Sequence, residues 1–119
     1  MPTYAALLYT ADVDWSAAEH ADTIAEYRRF KAGSEKQIGG GAALYPTATA
    51  TVVRVIGARG GEIVVSDGPY AETKEVLTGF YLLECADLDE AIALAAQIPT
   101  AWQGAVEVRP VIPFGSNGI

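Results

Sequence analysis

The chain has 119 residues, half of them apolar, with a mean hydropathy of +0.18. That suffices for one hydrophobic core and excludes a disordered segment. Eight Lys and Arg against 15 Asp and Glu leave a net charge of −7, which excludes generic binding to nucleic acid or an anionic membrane, because neutralising phosphates needs a basic patch.

No apolar run reaches the ~18 residues of a membrane span. The first ten residues, MPTYAALLYT, carry neither a basic region nor a cleavage pattern, so no secretory leader is expected. The single cysteine, Cys85, lies in an apolar run without metal-ligand spacing around it. It reads as a buried structural thiol in a reducing, cytoplasmic setting, with no metal and no cofactor.

In chain order, residues 4–10 form an apolar run that predicts a central strand. Asp12-Val13-Asp14 breaks it. Ser16-Ala17-Ala18-Glu19 matches a capping box, which predicts a helix from about Ala17 to about Gln37 that stops at Gly39-Gly40-Gly41. Ala17, Ala21, Ile24 and Tyr27 or Arg28, with Phe30 nearby, make its apolar face. Arg28, Arg29 and Lys31 read as its solvated face. Residues 42–55 are β-prone, with Pro46 marking an edge or a break between two pieces. Gly57-Ala58-Arg59-Gly60-Gly61 predicts a hairpin turn, and residues 62–66 a returning strand.

A polar, turn-rich stretch follows at residues 67–75, and residues 78–85 predict another strand, with Gly79 marking a bulge or close approach. Asp87-Leu88-Asp89-Glu90 repeats the capping pattern. The second helix then places Leu88, Ala91, Ile92, Ala95 and Ile98 on one face and stops at Pro99. Residues 104–112 predict a last strand, and residues 113–119 a tail that is mobile or lies over a partner.

The order β-α-β-β(-β)-α-β predicts one α+β domain over residues 1–119. Each crossover helix links two parallel strands that can lie side by side, in the ferredoxin-like split βαβ pattern. Both helices on one face leave the other face bare. A second copy across a two-fold axis is the simplest cover, so a homodimer is expected, with a cleft between helices and sheet in each subunit.

The stretch Asp67-Gly68-Pro69-Tyr70-Ala71-Glu72-Thr73-Lys74-Glu75 resembles the signature Asp-Gly-Pro-Phe-Ala-Glu-Thr-Lys-Glu of the DGPF branch of the YCII-related proteins, with Tyr70 in place of Phe. The resemblance extends to the N-terminal strand, to Tyr27-Arg28-Arg29-Phe30 and to Val106-Glu107-Val108-Arg109-Pro110. It implies a dimeric ferredoxin-like α/β barrel. Some members are thought to use a His–Asp pair in the cleft, one branch resembles a dehydrochlorinase acting on a chlorinated hydroxyquinol, and the DGPF branch is often found beside extracytoplasmic-function sigma factors.

Here the pair would be His20, the single histidine, and Asp67. His20, Ile24 and Tyr27 fall at i, i+4 and i+7, which places His20 at the border of the helix's apolar face. An Asp on one ring nitrogen leaves the other free to take a proton near pH ~6.5, which suits proton transfer or elimination on a small ring. The plainer alternatives are a boundary histidine and an Asp67 that accepts the amides of its own turn. Thr73 and Lys74 are candidates to hold an anionic or phenolic group, and Tyr9, Tyr70 and Tyr81 to line an aromatic pocket. Two function classes stay open: a cleft for a small, aromatic or polar molecule with His20 and Asp67 as catalysts, or a non-catalytic ligand-binding or accessory protein linked to sigma-factor regulation.

Overall fold

In a computed structural model that describes residues 1–115, six strands and three helices follow one another as β1 (Thr3–Thr10), α1 (Ala21–Gly33), β2 (Ile38–Ala43), β3 (Thr51–Ile56), β4 (Glu62–Asp67), β5 (Val76–Glu84), α2 (Leu88–Ala95), α3 (Thr100–Gln103) and β6 (Ala105–Pro110). The protein is α+β. One sheet has the order β2-β5-β1-β6, with every neighbouring pair antiparallel. The strands joined through a helix run parallel but are not side by side: β5 separates β1 from β2, and β1 separates β5 from β6. All three strand pairs of this sheet therefore have the slightly more stable antiparallel ladder.

Strand β1 shows a period of two. Tyr4, Ala6, Leu8 and Thr10 are buried and the residues between them are half-buried. The buried set faces both helices. Phe30 of α1 and Ala91, Leu94 and Ala95 of α2 join Tyr4, Ala6, Leu8, Leu83, Cys85 and Ile98 in one core. Cys85 is fully buried, as its apolar surroundings predict. Gly79 fulfils the bulge prediction. The β1–β5 register shifts where Leu8 faces Gly79 and Tyr9 faces Leu77, and a Cβ at Gly79 would lie 2.7 Å from the Ala42 carbonyl oxygen.

Several predicted boundaries are corrected. The first helix is shorter at both ends. Residues 18–20 form a 3-10 turn, and no side chain caps it. The carboxylate that organises this corner is Asp14, which accepts the Ser16 amide at 2.9 Å and hydroxyl at 2.5 Å, so Ser16 is spent as a donor to the loop before it. Gly39-Gly40-Gly41 does not stop the helix but lies within β2, where pairing with β5 overrides glycine's weak strand preference. On the second helix the Asp87 cap holds, accepting the Glu90 amide at 2.9 Å, while the Glu90 carboxylate accepts from Gln37 Nε2. Its buried side includes Leu94, and Leu88 and Ile92 are exposed, because the helix ends at Ala95 and turns into α3 past Pro99. The expectation for the tail lies outside the described residues from 116 onward.

The predicted hairpin is present as a separate two-stranded ribbon, β3 with β4, turning through Gly57 and Gly60, both at φ +86°. Val53 pairs with Val65 and Val55 with Ile63, so all four share one face, and all four are exposed. The radius of gyration, 16.3 Å, exceeds the about 13.5 Å of a compact chain of this length. No helix among the described residues is long and apolar enough to cross a membrane.

Candidate functional site

A groove opens between α1 and β2 because β2 has almost no side chains to fill it. Gly39, Gly40 and Gly41 are followed only by Ala42 and Ala43. At Gly41 a side chain is excluded outright: its Cβ would lie 2.5 Å from the Phe80 carbonyl oxygen and 3.0 Å from the Tyr81 ring. The groove has two compartments that share Trp15, Ile24 and Ala43. The inner one, about 410 Å³, is walled by Leu8, Tyr27, Ile38 and Tyr81 and has Lys31 at its mouth. The outer one, about 600 Å³, reaches Asp14, Arg28 and Tyr45. Both volumes fall in the range of small-molecule sites.

Helical spacing presents the α1 wall. Ile24, Tyr27, Arg28 and Lys31 recur at intervals of three and four and so share one side of the helix. Tyr27 is anchored by a hydrogen bond between its hydroxyl and that of Thr100, which is fully buried at the start of α3. Tyr81 stands edge-on to Phe30, with centroids 5.4 Å apart. Burial pushes both phenols above their ordinary pKa, and Tyr27 adds to the rise at Tyr81. These tyrosines therefore enter the groove as neutral hydroxyls. The Ser16 hydroxyl and amide hold the Asp14 carboxyl below its usual range.

His20 reaches this groove only through Trp15. Its ring lies 4.7 Å from the Trp15 ring at an interplanar angle of 50°, and its Nε2 is 3.7 Å from a Glu19 carboxylate oxygen. It is not among the residues lining either compartment. Asp67 ends β4, opposite Thr51, with its side chain exposed. No hydrogen bond or ion pair joins it to His20 among the described residues.

The other candidates separate as well. Tyr81 lines the inner compartment. Tyr9 faces the opposite side of the sheet, on the half-buried set of β1. Tyr70 is 78% exposed and lies under the Arg54 guanidinium, 5.2 Å from its ring centroid. Thr73 donates to the Glu75 carbonyl within its own turn, and Lys74 is exposed. Thr73 and Glu72 line a smaller hollow of about 340 Å³ beside Asp12 and Thr47. There the Asp12 carboxylate accepts the Thr47 amide at 2.9 Å and also the Thr47 hydroxyl. Gly68, at φ +97°, makes the turn out of β4, and its amide donates to the Ala50 carbonyl at 2.8 Å.

The YCII-related domain matches residues 3–115, nearly the whole chain. The chain belongs to the YCII-related family. It is also 39% identical over 115 residues to an uncharacterised protein of Rhizobium meliloti (strain 1021), spanning 91% of this chain and 90% of that one.

In this YCII-related chain the residues that sequence reasoning missed are Trp15, Ile24, Tyr27, Arg28 and Lys31. Ile24 and Tyr27 read from the sequence as part of the helix's apolar face, and the two cations as part of its solvated face. The available signal was the side-chain-free run Gly39-Gly40-Gly41, placed opposite a helix face that carries Tyr27 and Arg28. No group of His, Cys, Asp and Glu suited to a metal ion is found among the described residues.

Proposed function

We propose that this protein binds a small, ring-sized organic molecule in the groove between α1 and β2, as a homodimer. The observation that carries the reading is the open groove itself, walled by Trp15, Ile24, Tyr27 and Tyr81 over a floor that Gly41 keeps free of side chains. Aromatic walls with a few hydroxyls suit a planar ring that gains from stacking and edge contacts. His20 serves here as a positioning residue that holds Trp15 by its ring. The signature loop forms the β4–β5 connection, with Gly68 turning the chain and its amide held by the Ala50 carbonyl. Binding is therefore the reading carried forward rather than proton transfer between His20 and Asp67.

The dimer rests on the apolar surfaces left open. The sheet face away from the helices carries Ala5, Leu7, Tyr9, Phe80 and Leu82, and the ribbon adds Val53, Val55, Ile63 and Val65. A lone two-stranded ribbon is marginal in water, and a second copy supplies the missing cover in the manner of a dimeric ferredoxin-like α/β barrel. The DGPF-type signature and a reducing, cytoplasmic compartment for the free thiol of Cys85 are part of the same reading.

Saturation-transfer NMR with a panel of ring compounds (phenol, benzoate, cinnamate, coumarin) tests the groove. Transfer to at least one of them, abolished by Ala43→Phe at the junction of the two compartments, is the expected result. Transfer unchanged in Ala43→Phe would place binding elsewhere and overturn the reading.

A further inference from the structure

The ligand class is written on the helix side of the groove. Arg28 lines the outer compartment and Lys31 the inner one. At i and i+3 their Cβ atoms lie about 5–6 Å apart on one side of α1, so one cation borders each of the two compartments joined at Trp15, Ile24 and Ala43. Neither is ion-paired, for no Asp or Glu lies within 4.0 Å of either head among the described residues. The carboxylate that lines the groove, Asp14, is occupied by the Ser16 amide and hydroxyl.

We infer that the groove takes a small aromatic carboxylate, its ring among Trp15, Tyr27 and Tyr81 and its carboxylate between Arg28 and Lys31. This deepens the small-molecule reading above and rests on it. A guanidinium fork and an ammonium match a carboxylate by geometry and by charge, and charge-assisted hydrogen bonds are about twice as strong as neutral ones. The inner compartment, about 410 Å³, holds one substituted ring with a short side chain. Its walls offer neutral hydroxyls and apolar surface, so the charge belongs at the mouth, where Arg28 and Lys31 stand. A phosphate ester fits less well, since two side-chain cations without a surrounding set of backbone amides neutralise a dianion poorly.

Intrinsic fluorescence tests this directly. The chain has two tryptophans, so Trp102→Phe, at a position 60% exposed, leaves Trp15 as the reporter inside the groove. This protein is titrated with trans-cinnamate and with its neutral isostere trans-cinnamamide, and again with Arg28→Gln and Lys31→Gln added. Both cations are exposed, so the added changes leave the fold intact, as far-ultraviolet circular dichroism verifies. Saturable quenching by cinnamate at least about tenfold tighter than by the amide is expected, with the preference lost in the double variant and weakened by salt. Equal affinity for acid and amide, or a preference that survives in the double variant, overturns the carboxylate assignment while leaving the groove reading standing. Quenching by neither compound also overturns the carboxylate assignment, and the NMR panel then decides the groove reading separately.

Discussion

The Tyr27 hydroxyl on α1 is hydrogen-bonded to the hydroxyl of Thr100, a residue with no exposure to solvent. This contact ties the helix wall of the groove to the short helix beyond Pro99 and fixes the plane of one aromatic wall. It joins residues 73 positions apart, so it also links two parts of the core that have no strand pairing with each other.

Tyr27→Phe should therefore cost about 1–3 kcal/mol, because the Thr100 hydroxyl is left buried without its partner. Thr100→Val in the same chain should recover part of that loss, since removing both partners avoids the unsatisfied group. Chemical denaturation of the wild type, both single variants and the double variant checks it. Strictly additive losses would show that the two hydroxyls do not interact.

His20→Phe should keep ligand binding close to wild type, and His20→Ala should weaken it severalfold by releasing Trp15. The tilted ring contact at 4.7 Å needs a ring and no proton. Titration of both variants against the best ligand of the NMR panel decides. Loss in the phenylalanine variant equal to that in the alanine variant would restore a role for the imidazole nitrogens.

Asp12 makes the acid limb of stability partly local. The Thr47 hydroxyl and amide favour its ionised form and hold its carboxyl below the ordinary 3.8. The folded pKa is thus lower than the unfolded one. The contribution is fully present above pH ~4 and is lost as pH falls through the folded value. The stability gap between wild type and Asp12→Asn should be flat from neutral pH to about 4 and close below it. Urea midpoints at several pH values give that curve, and a gap independent of pH down to 2 would contradict it.

Leu82→Glu on the open sheet face should produce a monomer with the native fold, and sedimentation of the wild type should give twice 12.5 kDa at micromolar concentration. Val53→Lys on the ribbon should weaken the dimer less, because it removes cover from a smaller surface. A monomeric wild type would remove the second copy from the proposal. In that case the ribbon's valines would need another explanation.

Cys85, without exposure and with its thiol pushed up by burial and by neighbouring Glu90, Glu84 and Asp87, should resist Ellman's reagent in the native protein and react fully in denaturant. Rapid native-state labelling would show that β5 opens near its C-terminal end.

Local chemistry determined a good part of this protein. The apolar strand runs, the three-to-four spacing of the helix faces, the Asp87 cap, the glycine turn at residues 57–61 and the bulge at Gly79 each depend on near neighbours, and each was legible in the chain. The site was legible only in fragments. Tyr81 is in the groove, but Tyr9 is carried to the opposite face of the sheet by the two-residue period of its strand. Tyr70 is drawn under Arg54 by the ribbon, and His20 is taken up by Trp15. Periodicity does not tell which strand a helix will cross. Only the tertiary structure set α1 against a strand whose glycines have nothing to fill the space, and so turned two ordinary surface cations, Arg28 and Lys31, into the rim of a pocket.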